Sequence, residues 1–446
     1  MNQRVFLWSL TSSLAGFLFG FDTVVISGAE KAIQDLWALG DLQHGLALSA
    51  ALWGTVVGSL VGGWPTDKFG RKNTLLWIGV LYLVSAIWSG LATGMVSFML
   101  ARFIGGLGVG ISTVAAPLYI SEISPPEQRG TLTGMFQFNI VFGILIAFAS
   151  NYLIGSWVAE NAWRWMLAVE SLPALIFTAM CFQLPASPRW LIAIRKDRAA
   201  GISVLEQLRP DASPVDIQQT VDEIVASVRT ESDLTPAEPF WSRRLFTPIS
   251  IAFLVAFFNQ LSGINAILYF SPRIFELAGM GEQTALLKSI GIGVTNLVFT
   301  FVGLYLIDRI GRRTLLLIGS AGYVLSLGTC AYAFHSETFS IVPLCIFAFI
   351  AAHAMGQGAV IWVLISEVFP NEHRAAGQSL GSFTHWIFAA ILTLVFPSVV
   401  DHFEPEIIFG FFCFMMILQG LWVMTMLPET KGISLEQMES QLGIRE

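Results

Sequence analysis

Apolar residues run in stretches of about 20 along nearly the whole chain, separated by short polar turns. Each stretch is long enough to cross a ~30 Å hydrocarbon core as a helix. Strands of a membrane barrel would be shorter and would alternate, so the pattern predicts helices. Twelve spans are predicted, near 5–29, 46–64, 74–93, 97–120, 131–154, 163–184, 247–270, 284–307, 314–334, 341–366, 376–397 and 405–427. A polar segment at 185–246 splits them into two groups of six. The expected organisation is an N-terminal six-helix bundle (1–184), a cytoplasmic helical linker (185–246) and a C-terminal six-helix bundle with a short cytoplasmic tail (247–446). The fold class is therefore an all-α membrane protein with twelve transmembrane helices in two six-helix bundles.

Within the linker, Ala199–Leu208 and Pro214–Val228 show apolar positions at helical spacing with polar opposite faces, which predicts short amphipathic helices. Ser434-Leu-Glu-Gln437 resembles a capping box opening another helix near the C-terminus. Twelve spans put both termini on one side. If that side is cytoplasmic, only Lys31, Arg164, Arg273 and Lys288 of the 24 Lys and Arg residues fall outside, and Arg102 falls within a span. The positive-inside rule then orients the chain, with both termini cytoplasmic.

Composition agrees with this picture. The chain of 446 residues is 54% hydrophobic and 12% charged, with mean hydropathy +0.68. The net charge of -7 sits in loops, and nothing points to a nucleic-acid partner. Cys181, Cys330, Cys345 and Cys413 lie in apolar segments without CxxC spacing, and read as small core residues. The first apolar run follows Arg4 and could mimic a signal peptide, but it is too long and contains Asp22, so it reads as the first span.

The two halves repeat. Asp67-Lys-Phe-Gly-Arg-Lys-Asn matches Asp308-Arg-Ile-Gly-Arg-Arg-Thr. Glu122-x-x-Pro125-x-x-x-Arg129 matches Glu367-x-x-Pro370-x-x-x-Arg374, and Gly20-Phe-Asp22 matches Gly263-Ile-Asn265. All three pairs lie at nearly one offset. Parallel six-helix repeats are a transporter architecture, with substrate bound between the halves. Gly106-x-Gly108-x-Gly110 lies in a membrane helix without a preceding strand, so it is no nucleotide loop. Gly54-x-x-x-Gly58-x-x-x-Gly62 and Gly16-x-x-x-Gly20 read as close helix packing. No Walker motif, metal-binding cluster or site for covalent chemistry appears, so neither an enzyme nor a cofactor is expected.

Asp22 is the only charge between Val5 and Ala29. A carboxylate at the centre of a membrane helix costs about 2.5–3.5 kcal/mol on insertion scales, and such residues mark ion or substrate paths. Asp22 precedes the outer end of span 1, and Arg102 follows the outer start of span 4, by similar numbers of residues. At ~1.5 Å per residue both lie about 8–10 Å below the outer surface, which permits an ion pair. Protonation of Asp22 would release Arg102. The alternative is a static pair that steadies the outer half.

Taken together, Gly20-Phe-Asp-Thr-Val-Val-Ile-Ser-Gly28, Asp67-Lys-Phe-Gly-Arg-Lys72, Arg102-Phe-Ile-Gly-Gly106, Pro117-Leu-Tyr-Ile-Ser-Glu122 with Arg129-Gly130, Gln260-Leu-Ser-Gly-Ile-Asn265, Asp308-Arg-Ile-Gly-Arg-Arg313 and Pro428-Glu-Thr-Lys-Gly432 resemble the motifs of the sugar porters of the major facilitator superfamily. The resemblance covers nearly the whole length. It implies two bundles rocking about a central sugar site, and a proton-coupling role for Asp22 with Arg102. Proton-coupled members carry Asp at this position, and purely facilitative members often carry Asn.

The same resemblance implies sugar contacts from Gln137, Gln260, Asn265 and Asn296, with Trp362 and Trp386 packing on the ring. Amides and aromatic faces suit a neutral polyol, although each amide could equally bond a neighbouring helix. Asn259 and Gln357 join the candidate lining, and Tyr269 fits an outer gate. Three departures stand out. Asn259 replaces the first of two family glutamines. His353 and His385 stand where relatives carry other cavity-lining side chains, and either bonds sugar or a neighbouring helix. Pro185-Ala186-Ser187-Pro188-Arg189 has Ala where the family has Glu, which predicts a weaker cytoplasmic latch.

Asp67, Arg71, Glu122, Arg129, Asp308, Arg312, Glu367 and Arg374 fall at cytoplasmic helix ends. They are expected to bridge the halves while the outside is open, and so to set the conformational equilibrium. The reading is a monosaccharide/proton symporter of the inner (plasma) membrane, working by alternating access and complete as a monomer in the lipid bilayer. A proton-independent uniporter, a myo-inositol carrier and a non-transporting sugar sensor remain as rivals. Only a short stretch follows the last span, which disfavours the sensor.

Overall fold

The computed structural model describes residues 3–125, 128–158, 160–233, 239–370, 372–433 and 435–442. Among them the chain is helical, with no strand. Twelve helices have the length and composition of membrane spans: spans 1–6 are Gln3–Gly28, Asp41–Val61, Arg71–Leu91, Met95–Ile123, Arg129–Trp157 and Ala162–Cys181. Spans 7–12 are Arg243–Tyr269, Glu282–Ile310, Arg312–His335, Phe339–Val368, Arg374–His402 and Pro405–Met426. Each overlaps its expected stretch. Several run further than expected at their ends, because a helix continues past the apolar core until its caps stop it. The face bearing the termini is called here the terminal face, and the other the distal face.

Both halves are held by close backbone approach. A Cβ on Gly106 of span 4 would run into the Ala51 carbonyl of span 2, and one on Gly143 of span 5 into the Phe17 carbonyl of span 1. Small residues permit this, and in a bilayer such van der Waals packing stands in for the hydrophobic drive. The two six-helix bundles then meet along two seams, span 2 against span 11 and span 5 against span 8.

Three spans are interrupted where the site lies. Span 7 breaks at Gly263, whose φ of +86° is open to glycine, between helices Phe246–Leu261 and Ile264–Tyr269. Span 10 breaks at Gly356, which packs on Gly319 of span 9. Span 6 breaks between Ala168 and Ser171, two residues before Pro173, which has no N–H to continue the ladder.

The linker forms helices Pro188–Ala193, Arg198–Leu208 and Pro214–Asp233. Each has a side-chain start signal: Ser187 accepts from Trp190 N, Asp197 from Ala200 N, and Ser213 and Asp216 cap each other reciprocally. Their apolar faces meet at Ile192, Leu205, Ile217 and Val221. A further helix spans Leu435–Gln441, while the Ser434 end of its expected capping box lies outside the described residues.

Candidate functional site

In the N-terminal half, spans 1, 4 and 6 converge on a buried charge cluster. Arg102 Nη1 donates to Asp22 Oδ1 at 2.5 Å, and Nη2 donates to the Asp22 carbonyl at 3.0 Å. Both residues are almost fully buried. The pair anticipated from depth is therefore made in the structure. Its third member was not anticipated: Glu170, 1% exposed at the break in span 6, lies within electrostatic reach of both Asp22 and Arg102. The cluster has spare capacity, because Arg102 Nε, Glu170 Oε1, Tyr82 Oη and Ser85 Oγ have no protein partner. A carboxylate inside an apolar run was the available signal for Glu170, the same signal that identified Asp22.

The C-terminal half buries neutral polar groups instead. Asn265 Nδ2 donates to Gln260 Oε1 (2.7 Å), Gln260 Nε2 to Asn259 Oδ1 (3.0 Å), and Asn259 Nδ2 to Gln357 Oε1 (3.3 Å). The four amides thus form one chain running in a single sense, which polarises each member. Gln260 Nε2 also meets the His385 ring nitrogens at 3.1 and 3.2 Å. His385 lies between Trp362 and Trp386, at ring-centroid distances of 5.3 and 4.8 Å. Trp386 touches Phe19 of span 1 across the halves. His353 is half-buried and bonds Tyr323 of span 9. Gln137 is half-buried on span 5 and Asn296 buried on span 8, beside the seam where Gly293 packs on Leu145. Neither makes a hydrogen bond among the described residues. Tyr269 is buried at the end of span 7, within electrostatic reach of Asp22 and Arg102.

The terminal face carries two copies of one charge box. Arg71 bonds Asp67 (3.1 Å), Glu122 (3.0 Å) and the Thr66 carbonyl. Arg312 bonds Asp308 (2.9 Å), Glu367 (2.7 Å) and the Ile307 carbonyl. Both boxes turn on a positive-φ glycine, Gly70 at +84° and Gly311 at +95°. Arg374 Nε donates to the Ser366 carbonyl, and Arg129 stands exposed. The bridging between halves was expected while the outside is open; in this conformation the ion pairs of Arg71 and Arg312 close within their own halves. The Ala186 departure also gains a structural meaning. Glu429, its repeat equivalent, accepts from Arg312 N and Arg313 N and so caps span 9. Ala186 offers span 3 no such carboxylate.

The halves are joined at the distal face. Lys31 pairs with Glu276 (2.7 Å), while Arg273 pairs with Glu30 (3.6 Å) and bonds Gln34 (3.1 Å). Gln283 of span 8 donates to the Gly155 carbonyl of span 5. His44 of span 2 supports Glu30 at 3.2 Å. Lys31 and Arg273 stood out in the sequence only as outer-side charges, and none of these pairings was read from it, because no local spacing relates loop 29–40 to loop 270–281.

A twelve-span bundle in two repeated halves, closed at one face over a buried polar centre, is a secondary transporter. The chain belongs to the sugar porter family of the major facilitator superfamily: the family described as "Sugar (and other) transporter" matches residues 8–442. It is 33% identical over 443 residues to an arabinose-proton symporter of Bacillus subtilis, covering 98% of this chain and 94% of the relative. It is 32% identical over 481 residues to a D-xylose-proton symporter of Escherichia coli, covering 98% and 96% respectively. The inward-open structure of the E. coli xylose transporter XylE superposes with a TM-score of 0.86 at 29% identity, covering 98% of this chain and 99% of that one.

Proposed function

We propose that the protein imports a monosaccharide, a pentose or a hexose, together with a proton by alternating access. The observation that carries this reading is the buried cluster in which two carboxyls, Asp22 and Glu170, face a single guanidinium. Removing one partner of an ordinary buried pair strands the other, at a cost of about 3–5 kcal/mol. Here a proton arriving on Asp22 leaves Arg102 a second carboxylate to pair with. The cluster can therefore take up and release a proton while its cation stays compensated. Tyr269, within electrostatic reach of this cluster and on the same short helix as Asn265, gates the sugar in response to the charge state.

The sugar is held by the amide chain of Asn259, Gln260, Asn265 and Gln357, by His385, and by Gln137 and Asn296 across the cavity, with Trp362 and Trp386 against its ring. Amides that bond one another in the empty site exchange those bonds for sugar hydroxyls at little net cost. The bundles 1–184 and 247–446 move as the two rocking bodies, linked by 185–246. The Lys and Arg asymmetry supports cytoplasmic termini and an inner-membrane location, and a monomer contains every part. With that orientation the joined distal face is external, which corresponds to an inward-facing state. The terminal-face boxes then set how readily that state is left.

The test is uptake of D-xylose, L-arabinose and D-glucose by purified protein in proteoliposomes, with and without an inward proton gradient. Accumulation above equilibrium only with the gradient is the expected result. Equilibration indifferent to the gradient would leave a uniporter with a static Asp22–Arg102 pair.

A further inference from the structure

The distal contact between the halves has a symmetry that neither the sugar site nor the proton site explains. Span 1 is followed by helix Glu30–Leu36 and span 7 by helix Ser271–Leu277, each seven residues long. The two helices are repeat mates. Glu30 stands eight residues after Asp22, and Arg273 eight residues after Asn265, the position that matches Asp22. Parallel repeats of this kind are related by a two-fold axis along the membrane normal. Matching elements that touch each other across such an axis lie beside it. These two touch: Glu30 Oε2 is 3.6 Å from Arg273 Nη1, which donates to Gln34 Oε1 at 3.1 Å. Like charges at the two matching positions would repel there, and this chain carries one of each sign.

Each half braces its own member of the pair. His44 of span 2 is fully buried, and its Nε2 donates to the Glu30 carbonyl at 3.1 Å, an atom that only accepts. The same nitrogen lies 3.2 Å from the Glu30 carboxylate. On the other side, Arg273 Nη2 lies 3.5 Å from Asp401, near the end of span 11. Glu30 is buried and Arg273 largely covered, so salt screens this pair less than an exposed one. The neighbouring Lys31–Glu276 pair is a rim contact, with its lysine open to solvent.

We infer that Glu30 and Arg273 form a clasp beside the two-fold axis that holds the distal face shut, and that it parts when the site opens on that side. This rests on the alternating-access reading above and names the contact that keeps the described state closed. The two members extend from the two ligand sites. Glu30 continues the segment that carries Asp22, and Arg273 the segment that carries Asn265 and Tyr269. Parting the clasp exposes a carboxylate and a guanidinium to water, and the pair is regained when the face closes. The clasp therefore biases the resting protein toward the distally closed state, without touching sugar or the coupling cluster.

The experiment measures distances across the distal face by pulsed dipolar EPR on purified full-length protein. Spin labels are placed at Leu36→Cys and Leu277→Cys, exposed positions at the ends of the two matching helices. Cys413→Ala removes the one native cysteine that is not buried. In this background a short distance should predominate. Glu30→Gln and Arg273→Gln, each of nearly unchanged or smaller size, should each raise the ratio of long to short distances by about fivefold. The double variant should add nothing to either single change, because both cut the same link. Lys31→Ala should change the ratio by less than about twofold. An unchanged ratio in both single variants, or full additivity in the double, overturns the clasp. Gradient-driven uptake by the wild type would then leave the transport reading standing. Distances that shift as expected in a protein that equilibrates sugar without regard to the gradient would strike the proton coupling and keep the clasp.

Discussion

The two halves share a fold and bury opposite chemistry. In the N-terminal half the deep polar groups include a charge cluster, Asp22, Arg102 and Glu170, beside neutral groups such as Asn139 and Asn151 that bond neighbouring helices. In the C-terminal half they are neutral amides and imidazoles, with the charged residues of its spans lying toward the helix ends. The repeat preserved the backbone devices, the Gly70 and Gly311 turns and the two arginine boxes, and let the contents diverge. At matching repeat positions, Asp22 stands in one half and Asn265 in the other. A carboxylate takes up a proton and an amide does not, so the half with Asp22 suits the coupling ion and the half with Asn265 the polyol. In the proposed mechanism coupling crosses between them through Tyr269, which lies within electrostatic reach of Asp22 and Arg102.

That division can be broken from either side. The largest effect is expected for Gln260→Ala, which cuts the amide chain at its hub and removes bonds to Asn259, Asn265 and His385. Sugar affinity should fall by about 100-fold in a binding titration, as expected for losing two to three hydrogen bonds. The ion cluster should be untouched, so thermal stability should change far less than affinity. Glu170→Gln acts on the other side. It removes the second carboxylate that compensates Arg102, so gradient-driven accumulation should fall by about tenfold or more while sugar binding stays within about twofold. Equal damage to binding and accumulation would contradict the separation.

Smaller effects test the asymmetry of the ends. Ala186→Glu gives span 3 the carboxylate that Glu429 gives span 9, and should stabilise the protein by about 1 kcal/mol, read as a raised Tm in detergent. No gain would mean that the cap does not form. Lys31→Ala removes a distal pair whose lysine side chain is 58% exposed, so a change under about twofold in transport rate is expected. Its pH behaviour is also bounded. The hydrogen bond to Glu276 raises the Lys31 pKa above its ordinary value. The pair is therefore intact below the usual lysine range and is lost only as pH rises through the raised value. Any pH dependence of transport near neutrality should survive Lys31→Ala unchanged.

Much of this was legible in the sequence, for identifiable reasons. Span number and the repeat follow from hydropathy and motif offset, which need no tertiary information. The Asp22–Arg102 pair was reachable because depth along a helix is countable. Glu170 was equally countable and was passed over. Tyr323 with His353, and Gln357 with Asn259, were not legible as pairs, because each depends on how two helices are rotated about their axes. The arginine boxes show the same limit: sequence identified the charges, but only the packing of spans 3 with 4 and 9 with 10 decides that they close within a half.

The most direct test of proton handling in the N-terminal half compares two assays on Asp22→Asn in proteoliposomes. One is sugar accumulation driven by a proton gradient, and the other is sugar-for-sugar counterflow at equal pH. The expected result is that accumulation disappears while counterflow continues at a rate within about threefold of wild type, since exchange requires no net proton movement. Accumulation that survives in Asp22→Asn would contradict the account. So would loss of both activities in a variant that still binds sugar.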